Sequence, residues 1–284
     1  MYGFEEARSL AWLCISFVCR MDRMQYLSAK HQDLEDGQEA SLIKTLGELK
    51  TGKPVQYVLG ETEFYGLPFK VNPSVLIPRP ETEELVDWIV KDLQSKDPAV
   101  SFPSLNILDM GTGSGCIAIS LKKNIPDAQA YALDISQEAL NTAVNNSILN
   151  QTPVKFFRDD ILNPARAEVL NAKFQVIVSN PPYVTDNEKN LMHQNVLDFE
   201  PHTALFVRNN DPLQFYKAIA DFAIKRLESG GKLYLEINET LGEQTKELLR
   251  EKGFVNIILR KDLRGRERMI RAQLPESPFN QILP

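Results

Sequence analysis

The sequence predicts a doubly wound α/β sheet with a small helical domain before it and a β-hairpin connector between the two. Three observations predict it. Strand and helix patterns alternate from residue 105 to the C-terminus, a glycine-rich loop follows the first of those strands, and residues 1 to about 53 carry helical periodicity alone. The expected division is 1–54 for a helical domain, 55–80 for the connector and 81–284 for the α/β domain.

A chain of 284 residues suits one large and one small domain, and 43% hydrophobic with 25% charged residues is an ordinary globular composition. The formal net charge of −6 weighs against a protein whose main task is gripping nucleic acid, so no direct nucleic-acid partner is expected. The cysteines Cys14, Cys19 and Cys116 lack CxxC spacing and accompanying histidines. That argues against a disulfide framework or a metal site and for a reducing cytoplasm. The apolar run Ala11–Cys19 is too short to span a bilayer, follows Glu5 and Glu6 rather than basic residues, and precedes no small-residue cleavage site. It reads as a buried helix, with no membrane association.

Within the first domain, Leu10, Leu13, Cys14 and Phe17 recur at helical spacing, as do Leu42, Ile43, Leu46 and Leu49. The polar stretch Lys30–Glu39 with Gly37 reads as a loop, and Gly52 and Pro54 end the helical part. In the connector, Val58–Tyr65 and Phe69–Val71 are β-prone runs broken by Gly66, Pro68, Asn72 and Pro73. After Pro78 and Pro80, Glu81–Leu93 reads as a helix with Leu85, Ile89 and Leu93 on one face and glutamates in its first turn.

A polar loop, Ser95–Ser104, leads into the alternating part. Strands are expected at Leu105–Leu108, Ala128–Leu133, Val154–Phe157, Phe174–Val178 and, after Gly230-Gly231, at Lys232–Ile237. Helices are expected at Cys116–Lys123, Ser136–Leu149 with Ser136 as N-cap, Leu213–Leu227 and Leu241–Glu251. Val255–Leu259 and Met269–Ala272 would close the sheet as an antiparallel pair. No internal repeat and no low-complexity segment is present.

Directly after the first of these strands comes Asp109-Met110-Gly111-Thr112-Gly113-Ser114-Gly115. Glycines at alternate positions let backbone approach a ligand where a Cβ would collide, and the following helix offers unpaired N–H groups. Asp134, nineteen positions after Gly115, falls at the end of the second strand, where a carboxylate can accept from both hydroxyls of a ribose. The loop and Asp134 together imply a nucleotide-like cofactor. The third glycine comes one residue too early for a dinucleotide fingerprint. Asp109 either serves the cofactor or braces the loop. Past the third strand lies Asp159-Asp160; Asp160 can accept from an adenine amine while Ile161 packs on the ring, and an ordinary polar loop is the plainer alternative.

The fourth strand ends in Ser179-Asn180-Pro181-Pro182-Tyr183. Two successive prolines fix φ and stop ladder pairing, so the chain leaves the sheet rigidly. The Asn180 side-chain carbonyl and the Pro181 main-chain carbonyl can accept the two protons of an –NH2 group, and Tyr183 can offer a flat face to a planar amide or base. The candidate catalytic residues are therefore Asn180, Pro181 and Tyr183, joined by Pro182 in holding the substrate. No general base is required before transfer, because the alkylated nitrogen is strongly acidic and loses its proton afterwards.

The glycine loop resembles the first motif of class I methyltransferases, a Rossmann-like fold whose cofactor is S-adenosyl-L-methionine. The Asn180–Tyr183 motif is similar to that of methyltransferases acting on glutamine amides and on the amines of nucleic-acid bases. Leu76-Ile77-Pro78-Arg79-Pro80-Glu81-Thr82-Glu83, Phe199-Glu200-Pro201-His202-Thr203-Ala204-Leu205 and Gly52-Lys53-Pro54-Val55-Gln56-Tyr57 narrow the resemblance to the bacterial release factor glutamine methyltransferases, the PrmC/HemK family. The resemblance implies methylation of the glutamine amide in the Gly-Gly-Gln motif of class-one peptide-chain release factors, with the helical domain helping to hold that partner. It implies cofactor contacts from Gly111, Thr112, Gly113, Ser114, Gly115, Asp134, Asp160, Ile161 and Asn180. A monomer is expected. Met110 stands where leucine is usual in the family, and Ile161 where some members carry an aromatic residue. The rival readings are a base-amine methyltransferase, which would need a base-recognition domain and a basic groove, and a non-catalytic adaptor, which need not keep the glycines, Asp134 and Asn180.

Arg79 and Glu83 either line the entrance to the site or cap the following helix, and Glu200 reads as a brace for the loop after Tyr183. His31, His193 and His202 show no metal spacing and read as surface or loop residues. The basic run Arg260–Arg271 reads as a solvated face, with contact to an acidic or nucleic-acid partner as the alternative.

Overall fold

The computed structural model describes residues 2–29, 32–95, 105–166, 169 and 171–276, and it begins with three helices: α1 (Phe4–Cys19), α2 (Arg23–Ser28) and α3 (Asp36–Leu49). Asp22 and Gln25 cap α2 reciprocally, each side chain accepting from the other's backbone N–H at 2.8–2.9 Å. Two expectations are corrected here. The Lys30–Glu39 loop is shorter than read, because Gln38 folds back to accept from Glu35 N at 3.2 Å and starts α3 at Asp36, with Gly37 in its first turn. The Ala11–Cys19 segment is helical but not sunk in a core. Cys14 is buried, whereas Leu13 and Phe17 stand exposed, since three short helices cannot surround one of their number. His31 lies outside the described residues.

The connector opens with a further helix, α4 (Val55–Leu59), where Val58 to Gly60 were expected in a β run. Tertiary contact overrides β propensity there: Tyr57 is buried and donates its hydroxyl to Val75 O at 2.6 Å, and Gly60 at φ 73° ends the turn. The hairpin proper is β1 (Glu61–Phe64) and β2 (Leu67–Lys70). Tyr65 and Gly66, at φ 50° and 73°, provide the doubly left-handed turn that suits strand twist. Pro68, expected to break the strand, sits inside β2. It is tolerated because β2 pairs with β1 alone and its outer edge is met by side chains. Asn146 accepts from Lys70 N at 2.7 Å and donates to Lys70 O at 3.0 Å, as a neighbouring strand would, and Asn150 donates to Pro68 O at 2.9 Å.

Then come α5 (Pro80–Gln94), β3 (Asn106–Met110), α6 (Cys116–Asn124), β4 (Gln129–Asp134), α7 (Gln137–Leu149), β5 (Lys155–Arg158) and β6 (Phe174–Ser179). Proline at the first position of α5 costs nothing, since that N–H has no intrahelical partner. Ser136 caps α7 as expected, its Oγ accepting from Ala139 N at 3.1 Å. Residues 96–104, most of the expected polar loop, lie outside the described part. No regular element was anticipated between Tyr183 and Asp211. The chain there forms β7 (Val184–Thr185), a 3₁₀ turn (Asp186–Leu191), α8 (Gln194–Phe199), α9 (His202–Leu205) and β8 (Phe206–Val207). These are too short to carry a periodicity. The last elements are α10 (Gln214–Arg226), β9 (Leu227–Glu236), α11 (Gly242–Glu251), β10 (Val255–Lys261) and β11 (Glu267–Gln273). β9 runs through Gly230-Gly231 instead of starting after them, with an irregular register against β6 between Phe174 and Val176.

Among the described residues, seven strands form the main sheet in the order β10-β11-β9-β6-β3-β4-β5. The five from β9 to β5 are parallel, and β11 inserts antiparallel between β9 and β10. This is the class I methyltransferase fold expected of the sequence. Helices cover both faces: Leu85, Ile89, Ile117 and Leu121 pack on one, and Tyr216, Ile219, Leu248 and Leu249 on the other. Strand order reverses between β3 and β6, and a crevice therefore opens beyond their carboxyl ends.

The basic run is not a solvated face throughout. It forms the outer hairpin, and strand alternation turns Arg271 toward the α5 face and Arg268 toward the opposite, Tyr183 face, so that neither is fully solvated. Arg271 Nη1 lies 2.5 Å from Asp92 Oδ2, and Arg268, 12% exposed at its side chain, pairs with Glu239 at 3.2 Å and Asp262 at 3.6 Å.

Candidate active site

The crevice is a cleft of about 360 Å³. Its floor is the glycine loop. Gly111, Gly113 and Gly115 take φ of 79°, 54° and 82°, which side-chain-bearing residues rarely adopt. Gly111 N and Thr112 N both donate to Leu133 O at 2.9 Å, pinning the loop to β4, and Asn146 donates to Ser114 O at 2.9 Å. Gly111, Thr112, Gly113 and Ser114 line the cleft, while Gly115 does not. Gly115 heads α6, and a Cβ there would lie 2.9 Å from Ile119 and 3.1 Å from Ala143, so glycine is demanded by close packing of α6 on α7.

Asp134 lines the cleft beside the loop, its Oδ2 accepting from Gly113 N at 2.8 Å and its Oδ1 from Ser136 N at 2.9 Å. Each oxygen retains a second lone pair. Asp109 is fully buried beneath; its Oδ2 accepts from Thr112 Oγ1 at 2.6 Å, and its Oδ1 has no hydrogen-bond partner. Burial pushes the Asp109 carboxyl up to about 7 and raises Asp134 as well. The Asp159-Asp160 pair divides its labour. Asp159 turns away and accepts from Ala165 N and Arg166 N, whereas Asp160 and Ile161 line the cleft.

The opposite wall carries the asparagine motif. Ser179 Oγ donates to Met110 O at 2.6 Å, tying β6 to β3 where they diverge. Asn180 and Pro182 line the cleft; Pro181 is buried and Tyr183 lies behind them. The Tyr183 ring packs on the core, with the Arg268 guanidinium 6.0 Å from its centroid, and its hydroxyl donates to Glu236 Oε1 at 3.1 Å. Burial and the neighbouring Glu236 raise the Tyr183 phenol well above its usual value. Asn238 Nδ2 donates to Tyr183 O at 3.1 Å and to both Glu188 oxygens at 3.0 Å, clamping the segment after the motif.

Several residues of this site went unmarked in the sequence. Thr82, in the first turn of α5, lines the cleft and accepts from Asn180 Nδ2 at 3.2 Å while donating to Glu236 Oε2 at 2.6 Å. Glu236 ends β9 and is 1% exposed; burial raises its carboxyl, and the hydrogen bonds from Thr82 and Tyr183 with the charge of Arg268 pull it back. A carboxylate inside the apolar run Leu233–Ile237 was the available signal. Phe206 and Phe215 also line the cleft and belong to elements that periodicity alone does not place beside it.

Of the paired candidates Arg79 and Glu83, Arg79 lines the cleft and Glu83 does not; its Oε1 accepts from Tyr65 N at 2.8 Å and holds the hairpin turn. Glu200 is a brace, but for the connector: it accepts from Ile77 N at 3.2 Å and from Arg79 Nη2 at 2.5 Å. His193 and His202 are exposed.

The Methyltransferase small domain family matches residues 88–202, and the PrmC N-terminal domain family matches residues 2–60. The chain is 46% identical to a release factor glutamine methyltransferase of Flavobacterium psychrophilum over 95% of this chain and 93% of that one. It is 40% identical to the protein of the same name from Bacteroides thetaiotaomicron over 96% and 94%. Among solved structures, the T. thermophilus 16S rRNA N2 G1207 methyltransferase, in complex with AdoMet and guanosine, shares the fold at a TM-score of 0.53 and 20% identity, over 75% of this chain and 49% of that one.

Proposed function

The chain belongs to the release factor glutamine methyltransferase family, and we propose that it methylates the side-chain amide nitrogen of the glutamine in the Gly-Gly-Gln motif of class-one peptide-chain release factors, with S-adenosyl-L-methionine as donor. It is an enzyme of that family, a methyltransferase. The observation that carries the finer reading is the placing of Asn180 on the cleft wall with its amide nitrogen committed to Thr82 at 3.2 Å. The carbonyl end is thereby left to accept from an incoming –NH2 group.

The residues present fit the cofactor. The cleft-lining carboxylates Asp134 and Asp160 and a glycine floor make an electronegative site suited to a cationic ligand with an amino-acid end and a ribose. Gly111, Thr112, Gly113 and Ser114 would cradle the amino-acid end, Asp134 would take the ribose hydroxyls, and Asp160 and Ile161 the adenine. When bound, the cofactor supplies an electrophilic methyl group on a sulfonium sulfur.

An amide nitrogen is a poor nucleophile because its lone pair is delocalised into the carbonyl. The Asn180 side-chain oxygen and the Pro181 main-chain oxygen accept its two protons, and both bonds strengthen as positive charge develops on nitrogen. They therefore favour the transition state over the ground state. The rigid Pro181-Pro182 pair holds these acceptors in place, and such orientation contributes up to roughly 7–11 kcal/mol in well-aligned systems. The proton leaves the alkylated nitrogen afterwards.

The exposed apolar residues Phe4, Leu13 and Phe17 of α1 support a partner-holding role for the helical domain. Among the described residues no helix is long and apolar enough to cross a membrane. The proposed release-factor substrate places the enzyme in the cytoplasm with that partner, and a monomer is the state we propose.

The test offers labelled cofactor to the purified protein together with a release factor, or with bulk tRNA and rRNA. Label is expected in the release factor and to vanish when its motif glutamine is replaced. Label appearing only in RNA would replace this reading with a base-amine methyltransferase.

A further inference from the structure

Glu236 does not line the cleft, yet it is hydrogen-bonded to Thr82, which does. The Thr82 hydroxyl has one proton and can accept as well as donate. At 2.6 Å from Glu236 Oε2 it donates to the carboxylate, and only acceptor capacity then remains toward Asn180, 3.2 Å away. An acceptor at that position selects the –NH2 end of the Asn180 amide. The other carboxylate oxygen takes the Tyr183 hydroxyl proton at 3.1 Å, so Glu236 orients two hydroxyls at once. An asparagine amide is nearly symmetric in shape, so its orientation is decided by hydrogen-bond partners and not by packing. With the opposite orientation, Asn180 would present donors to a substrate that also brings donors.

We infer that Glu236 is a positioning residue that acts through the Thr82 hydroxyl to set the Asn180 amide with its carbonyl toward the substrate nitrogen. The inference rests on the reading of Asn180 as the substrate's acceptor. A neutral side chain at position 236 would avoid the cost of burying a carboxylate, but a polar one such as glutamine cannot accept from Thr82 and Tyr183 together.

The experiment uses the full-length protein, labelled cofactor and a purified release factor, and measures kcat, KM and cofactor affinity for Glu236→Gln, Thr82→Val, Thr82→Ser and the Glu236→Gln/Thr82→Val double variant. Thr82→Val and Glu236→Gln are each expected to lower kcat about 10-fold, the worth of one net hydrogen bond at the upper end. KM and cofactor affinity are expected to stay within roughly twofold. Thr82→Ser, which keeps the hydroxyl, is expected to restore the rate, and the double variant to be no slower than Thr82→Val alone, because the two act through one contact. Multiplying losses in the double variant, Thr82→Ser as slow as Thr82→Val, or a loss confined to KM or cofactor binding would each overturn the relay while leaving the proposed reaction standing. A wild-type protein that labels no release factor would overturn the reaction and the relay with it. If Glu236→Gln does not fold, the Thr82→Val and Thr82→Ser pair decides the question.

Discussion

Arg79 Nη2 meets Glu200 Oε1 at 2.5 Å across 121 positions of sequence, fastening the end of the connector to the segment that follows the asparagine motif. Glu200 is 4% exposed, and its other oxygen accepts from Ile77 N. One carboxylate therefore sets both the course of residues 77–79 and one rim of the cleft.

Removing the cation should leave that carboxylate buried with a single backbone donor. Arg79→Ala is expected to cost about 1–3 kcal/mol, the penalty of an under-satisfied buried group, reduced because the guanidinium is partly in water. Glu200→Gln has one acceptor oxygen for two donors and so keeps only one of the contacts, but it leaves no unpaired charge buried and is expected to cost less. Urea unfolding of the two variants checks the order; the reverse order would show that the pair does not hold the rim.

Asn180→Ala is expected to lower turnover by at least roughly 100-fold while cofactor affinity changes little, by analogy with deleting a partner that acts on developing charge. Single-turnover methyl transfer and equilibrium dialysis separate the two quantities. Near-normal turnover would mean that the nitrogen is held elsewhere.

Two glycines of the same loop should fail in different ways. Gly115→Ala places a Cβ against Ile119 and Ala143 at a φ of 82°, so strain and overpacking together are expected to cost roughly 2–4 kcal/mol. Gly113→Ala carries left-handed strain at φ 54° but meets no neighbour, so its stability loss is expected to be smaller and its main effect to fall on cofactor affinity at the cleft. Thermal unfolding and ligand titration of both variants test this. Equal stability losses would contradict it.

Asp109 should leave a mark on the pH dependence of stability. Its carboxyl stands at about 7 in the folded chain, raised chiefly by burial, against about 3.9 in an unfolded one. The folded state thus binds the extra proton between those values, so this group's contribution is present below about pH 4 and is lost as pH rises through about 7. Asp109→Asn removes the titration and should flatten the decline by roughly a few kcal/mol. Urea titrations at pH 5 and pH 8 measure it; an unchanged slope would place the proton elsewhere.

The main helices and strands from β3 onward were legible because the helices carry apolar stripes and the central parallel strands, buried on both faces, read as continuous apolar runs bounded by turns. So were the outer β10–β11 pair and the Ser136 cap. The connector was less legible. Val58 has the branched side chain of a strand former, yet α4 forms because Tyr57 reaches Val75, a contact 18 positions away. Pro68 looked like a breaker because the sequence does not reveal that Asn146 and Asn150 stand in for a strand along that edge.

Residue chemistry and spacing by themselves determined the sheet, the glycine loop with Asp134, and the asparagine motif at the end of the fourth strand. These are local: a tight turn, a capped helix and a rigid exit from a ladder are specified by a few adjacent residues. Tertiary structure alone decided that Thr82 and Glu236, 154 positions apart, meet behind Asn180, that Tyr183 sits behind the cleft, and that Arg268 turns inward. Those outcomes depend on which strand ends lie side by side, and in a doubly wound sheet that adjacency does not follow chain order.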